Sequence, residues 1–333
     1  MKLSRLLSMA LVALCASQAP AYAQMNWKLA SAAQPGSPLI GFVDEAASKI
    51  TAGSKGAIKV ERLFIGSEQE IVQQIVRGRL EMVSVSLAGT APIVPEAGLM
   101  TTPYIWRSDA ERDFVTDNYA LPVLKKIYET KGLVIVGWGE VGWNDTVCKK
   151  ACLSPADVKG MKVRVGPATS SKIFWSSLQT NGVQMPLSEL FPALQSGLVD
   201  AADLPFPYYV TTPAAQSAPH YVTTRHLHHA SHMLVNKRVW DGLSAEQKAL
   251  IQASVPEAAR QRREVDASVK PKMDEFKAKG GHVHELTPAQ RAEWSKLVIP
   301  NQEQMVKEAG GAAPELWAAI MKGKQDYAAR GGK

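Results

Sequence analysis

Two stretches of this chain share one pattern. Glu70, Ile71, Ile75, Gly78, Leu80 and Glu81 in EIVQQIVRGRLE recur at a constant offset as Glu189, Leu190, Leu194, Gly197, Val199 and Asp200 in ELFPALQSGLVD. In each, apolar residues at helical spacing run into a glycine placed for a C-cap and then into a short strand. Any chain of βα units yields one such match, so its weight lies in what surrounds it. The first copy is preceded by WKLASAA, the helical pattern SPLIGFVDEAASKITAGS and the alternating AIKVERLF, and is followed by EMVSVSL. This is βαβ order, which gives a parallel sheet covered by helices. The echo then fits two similarly built α/β lobes.

The start of the chain bears on where it works. Lys2 and Arg5 precede the apolar run Leu6 to Leu14, and Ala21-Tyr22-Ala23 places small residues before Gln24, the pattern of a Sec signal peptide over residues 1–23. Export to the periplasm is the expectation. Cys15 follows Leu14, a poor match to the small residue that a lipidation site wants. No later stretch approaches ~20 uninterrupted apolar residues, so no membrane-spanning helix is expected. Removing 23 of 333 residues leaves 310, and losing Lys2 and Arg5 but no acid takes the formal charge from +7 to +5. That mild, scattered charge carries no nucleic-acid motif. Cys148 and Cys152 in VCKKAC survive cleavage. In an oxidising compartment a close, even pair is a disulfide closing a small loop; free thiols and a redox or metal site are the alternatives.

From about Leu243 to Lys279 the chain is rich in Ala, Glu, Lys, Gln and Arg, opens on the capping-box-like SAEQ at Ser244 and closes on Gly280-Gly281. One long helix is predicted, bent or broken near Pro256 and Pro271.

The segment KGMKVRVGPATSSKIFWSSLQTNGVQMPLSELFPALQSGLVDAAD is similar to the signature of the DctP-like solute-binding proteins of tripartite ATP-independent periplasmic (TRAP) transporters. The matching residues are Arg164-Val165, Pro186, Ser188-Glu189, Ala193-Leu194-Gln195, Gly197 and Val199-Asp200. The similarity continues through GSEQEIVQQIVRGRLEM, TTPYIWRSDAERDF, VGWGEVGW and NKRVWDGLSAEQKALI, in the family's order. It implies a two-lobed periplasmic-binding-protein fold with a ligand cleft between the lobes and a long helix spanning both. Lobe I is then residues 24–141 plus 230–270 and lobe II residues 142–229 plus 271–333. It also implies a monomeric receptor that needs no cofactor and hands a small organic acid to the small and large TRAP membrane subunits.

The physical reading of Arg164 agrees. A guanidinium matches a carboxylate bidentately and stays charged when water is stripped away, and the end of an α/β strand faces the crevice where ligands bind. Departures from the family pattern narrow the ligand. Many relatives carry a second arginine where this chain has Asn144, so a dicarboxylate loses a partner. Asp203 and Leu204 replace a more polar stretch, and Phe206, Tyr208, Tyr209, Trp143 and Trp175 supply aromatic surface. A monocarboxylate is expected, and an aromatic or hydrophobic acid fits. From lobe I the resemblance implies contacts at Ala33-Gln34 and Ser84 to Ser86, with Glu68 as a possible helix cap. In HLHHASH, His228 and His232 stand at a spacing that binds zinc from a helix, but the resemblance makes this stretch a strand, so no metal site is expected there. One of these histidines is a candidate hinge or cleft contact. No nucleophile elbow, HExxH or paired-carboxylate arrangement supports an enzyme. A ligand sensor feeding a regulator is the remaining alternative.

Overall fold

A computed structural model describes residues 24–33 and 35–332; the signal-peptide expectation and Gln34 lie outside them. Among the described residues there are nine strands in one mixed sheet, ordered β2-β1-β3-β8-β4-β7-β5-β6, with β9 added on β8. The first half holds β1 (Met25–Ser31), β2 (Ile58–Phe64) and β3 (Met82–Ser86), the second β5 (Lys162–Val165), β6 (Asn181–Gln184) and β7 (Ala201–Pro205). Two long antiparallel strands run through both halves: β4 (Leu133–Cys148) and β8 (His220–Asn236). β3 joins the first half to β8, and β7 joins the second half to β4. The short strand β9 (His282–His284) pairs with β8 at His220 to Val222.

The echoed segments form the expected units. Helix α2 (Glu68–Val76) leads through Gly78 into β3, and α5 (Leu187–Ser196) leads through Gly197 into β7. Both glycines hold left-handed backbone, φ +71° and +78°, which a side chain disfavours.

Alternation along the strands buries both sheet faces. In β1, Leu29 packs on one side with Val43 and Ile50 of α1 (Pro38–Gly53), and Ala30 on the other with Ile71 and Ile75 of α2. In β4, Val147 joins Leu190 and Leu194 of α5, while Cys148 joins Phe174 and Trp175 of α4 (Thr169–Ser177). Each large apolar side chain buried this way contributes roughly 1.5–3 kcal/mol. Cys148 and Cys152 are bonded, with Cα atoms 6.5 Å apart, and close the loop at the end of β4.

The predicted long helix breaks at Pro256 into α7 (Ala245–Ser254) and α8 (Ala258–Ala278) but runs unbroken through Pro271. Pro271 lies on the exposed side, where water can serve the carbonyl that loses its donor. Helix α8 touches both halves. Arg260 pairs with Glu45 of α1 at 2.8 Å, and Phe276 meets Tyr209 at 5.4 Å between ring centres. The chain after residue 270 divides: Trp294 and Val298 of α9 (Pro288–Val298) pack with Val163 and Phe174, whereas Leu316 and Ile320 of α10 (Ala313–Ala329) pack with Ile71 and Leu124 of the first half. Helical periodicity reveals an apolar face without revealing which half it covers.

Candidate functional site

Where the two halves meet, a cavity of about 110 Å³ opens between the ends of β1 and β3 on one side and β5 and β7 on the other. A space of ~150 Å³ suffices for benzene, so this cavity is of the size for a small ligand. Arg164, Asn144, Asp203, Tyr208 and Ser86 all line it, as does Ala33.

Arg164 enters from the end of β5 and is 7% exposed. Its Nε donates to the Met185 carbonyl at 3.2 Å, which fixes the plane of the guanidinium. Gly166 lies against that plane: a Cβ there would stand 3.3 to 3.5 Å from Nη1, Cζ and Nη2, so the glycine gives the cation room. Burial presses the Arg164 pKa down, and the charges of Asp203, Tyr208 and Glu68 oppose it.

Asp203, on β7, is almost fully buried. It accepts from Asn144 Nδ2 at 2.6 Å and from Trp175 Nε1 at 3.0 Å. Burial alone would raise its pKa, but His226, Arg164 and the Trp175 N–H outweigh burial and hold the carboxyl well below its usual range. His226 Nε2 lies 3.7 Å away, too far for a hydrogen bond. Trp175 therefore serves Asp203 from the core and is not part of the cavity wall.

From the first half, Ser86 does not stand free. Its N–H and Oγ donate to the two oxygens of Glu68 at 2.7 and 2.6 Å, and its Oγ accepts from Gly89 N at the start of α3 (Leu87–Thr90). The cap of α2 is Ser67, which accepts from Glu70 N; Glu68 instead lines the cavity and braces Ser86. Burial raises the Glu68 pKa against the pull of Ser86 and Arg164. Sequence reasoning left Glu68 as a possible cap because Ser86 is eighteen positions away; only the meeting of β3 and α2 joins them.

Trp143 and Phe206 are not brought to the cavity. Strand alternation turns Trp143 to the face opposite Asn144. There its Nε1 donates to Asp109 at 2.8 Å, and the Arg225 guanidinium stands 4.6 Å over its ring. Phe206 opens helix α6 (Phe206–Tyr209) and is buried edge-on against Tyr221 at 4.8 Å. Of the histidine run, His229 lines the cavity, and burial lowers its pKa to about 4, so it is neutral at pH 7. His228 and His232 sit in β8, not on a helix; His228 meets Glu140 and His232 packs edge-on to Tyr128 at 5.0 Å.

A mixed sheet cut by two crossing strands, with a cavity at strand ends from both sides, defines a two-lobed α/β binding protein. Comparison with known proteins specifies the family. Residues 29–309 match the model of the DctP family, described as bacterial extracellular solute-binding protein, family 7, and the chain belongs to that family. It is 26% identical over 278 residues to a solute-binding protein of Verminephrobacter eiseniae (strain EF01-2), covering 82% of each chain. It is 27% identical over 222 residues to the 2,3-diketo-L-gulonate-binding periplasmic protein YiaO of Escherichia coli (strain K12), covering 64% of this chain and 66% of that one. A TRAP periplasmic solute-binding protein from Roseobacter denitrificans, solved with bound β-D-glucuronate, superposes with a TM-score of 0.83 at 24% identity, covering 90% of this chain and 99% of the other. The resemblance noted from the signature segment is thus a family membership, and relatives in the family are binding proteins for organic acids. Among the described residues no helix is long and apolar enough to cross a membrane.

Proposed function

We propose that this chain is the periplasmic, monomeric receptor of a TRAP transporter, and that it captures a small monocarboxylate through Arg164 and presents it to the two membrane subunits. The carrying observation is the charge of the cavity wall. Among the described residues lining it, Arg164 is the one side chain holding a full positive charge at pH 7, since His229 is neutral there. With Nε committed to Met185, the two Nη groups are the donors left for a carboxylate. A second carboxylate would find Asn144, Asp203 and Glu68, none of them cationic. Leu39, Leu187 and Pro205 complete an apolar wall, which suits the hydrocarbon part of an aromatic or aliphatic acid. The sugar acids named for YiaO and the Roseobacter protein support an acid ligand.

The lobe division goes with this reading. The two long strands cross where Gly142 pairs with His229, at a register shift after Glu140, and we place the hinge there. The first lobe takes residues 24–141, the strand from Ala230 onward and the C-terminal helix α10; the second takes 142–229 with α9.

A thermal-shift screen of the mature protein against organic acids and neutral solutes tests the reading. A ligand at a hundredfold excess over Kd stabilises by about 2.7 kcal/mol. Stabilisation by monocarboxylates, lost in Arg164→Ala, is the expected result. Stabilisation by neutral solutes alone would overturn it.

A further inference from the structure

Among the described residues, the titratable side chains lining the cavity are Glu68 at the start of α2, Arg164 on β5, Asp203 on β7, His229 on β8 and the phenol of Tyr208 on α6. Asp203 is ionised and offsets the Arg164 charge, while His229 is neutral at pH 7. The wall is thus balanced without Glu68. An ionised Glu68 tips it negative, and a bound carboxylate would then add a second negative charge with no cation to answer it. Glu68 draws little help from its own contacts. Its oxygens accept from the N–H and Oγ of one neutral residue, Ser86, at 2.7 and 2.6 Å, and Arg164 only partly opposes the burial that raises its pKa.

Every effect of a bound anion on Glu68 has the same sign. The carboxylate engages the Arg164 charge that favours ionised Glu68, adds a negative charge of its own, and covers a side chain that the protein itself leaves half-buried. All three favour the neutral acid. Protonation also suits the hydrogen bonding, since a proton on Oε2 reverses the 2.6 Å bond to Ser86 Oγ rather than breaking it. Resting on the monocarboxylate reading, we propose that the receptor takes up one proton, at Glu68, with each acid it captures: a carboxylate and a proton from solvent enter the cavity together, and the cavity gains no net charge. By linkage, Kd then weakens as pH rises through the window between the Glu68 pKa of the free protein and the higher one of the loaded protein, by up to about tenfold per pH unit.

Calorimetry with mandelate and 2-hydroxyisovalerate, acids that stay ionised above pH 5.5, tests this. Titrations at fixed pH in buffers of different ionisation enthalpy count the protons taken up. Wild-type protein is expected to take up a proton within pH 5.5 to 8, with Kd weakening roughly fivefold or more across that range. Glu68→Gln carries in its amide the donor and acceptor of the protonated acid. It should show no uptake and a flat Kd, and at pH 8 it should bind more tightly than wild type, whereas loss of a mere brace for Ser86 would weaken binding at every pH. Acids bound by wild type without proton uptake would overturn the proposal and leave the acid receptor intact, a result that needs no variant to fold. Uptake that persists in Glu68→Gln would place the proton elsewhere, His229 being the other base in the cavity wall, and would overturn the role of Glu68. Binding of neither acid, with neutral solutes bound, would overturn the acid reading and this proposal together.

Discussion

The two lobes repeat each other strand for strand, β2-β1-β3-β8 against β6-β5-β7-β4, yet only one carries the cation. Leu29 pairs with Met82, Ala30 with Val83 and Ser31 with Ser84, while Val163 pairs with Ala201. Since Met82 and Ala201 hold the same place in the echoed units, Ala30 answers to Arg164 and Ser84 to Asp203. The helices that follow match as well, α3 with α6. Their entries differ in kind. In the first lobe Ser67 and Ser86 cap with their side chains; in the second, Pro186 and Pro205 stand at those places and make no side-chain cap. Proline presets the backbone for a helix start without a hydroxyl. Glu68, which braces Ser86, is matched by Leu187 in the apolar wall. The shared pattern thus builds the scaffold, and the few strand-end and helix-start positions it leaves free carry the chemistry.

The sharpest way to break this asymmetry is to remove the cation. Arg164→Ala leaves a buried ligand carboxylate without its main partner, a loss of roughly 3–5 kcal/mol, or about a hundred- to several-thousand-fold in Kd. Arg164→Lys should recover part of it, because an ammonium lacks the planar fork. Calorimetry on folded protein checks both, and near wild-type affinity in Arg164→Ala would make the two lobes equal partners in binding.

The disulfide is a second asymmetry. Cys148 lies beside Ala201 at the place where the first lobe sets Val235 beside Met82, with no cross-link. Closing so short a loop is worth about 2 kcal/mol in the chain-entropy model. The double change Cys148→Ser and Cys152→Ser should lower the stability measured by urea by about that much, with less than a twofold change in Kd. A large loss of affinity would mean that the loop positions the cleft.

How much of this was legible in the sequence follows from what local patterns encode. The echoed helices, the parallel units and Arg164 at a strand end show in spacing and residue type. The places of Trp143 and Phe206 do not: the face that Trp143 takes depends on register, and β4 shifts register three times along β8, while Phe206 opens a helix whose packing against Tyr221 is set by the assembled sheet. The brace between Glu68 and Ser86 and the bond between Asp203 and Asn144 span 18 and 59 positions; only the assembled sheet makes them neighbours.

The smallest expected effects set the two cavity carboxylates against each other. Asp203 has a depressed pKa, so its ionised form stabilises the folded chain above the unfolded value of ~3.9, and that contribution is lost only as pH falls through the lower folded value. Asp203→Asn should cost about 1–2 kcal/mol, the difference between charged and neutral hydrogen bonds, nearly constant from pH 5 to 8 and shrinking in acid. Glu68 has a raised pKa, so the folded chain keeps its proton longer than the unfolded one, and stability falls as pH climbs from ~4.3 through the folded value. Glu68→Gln removes that fall while retaining one acceptor for Ser86. The variant should therefore gain on wild type as pH rises, ending within about 1 kcal/mol of it at pH 7. Urea midpoints of the ligand-free proteins at pH 4, 5.5 and 7 measure both trends. Parallel rather than opposed trends would mean that burial rules both carboxyls, and that the Arg164 charge and the Trp175 N–H do not set Asp203 apart from its counterpart across the cleft.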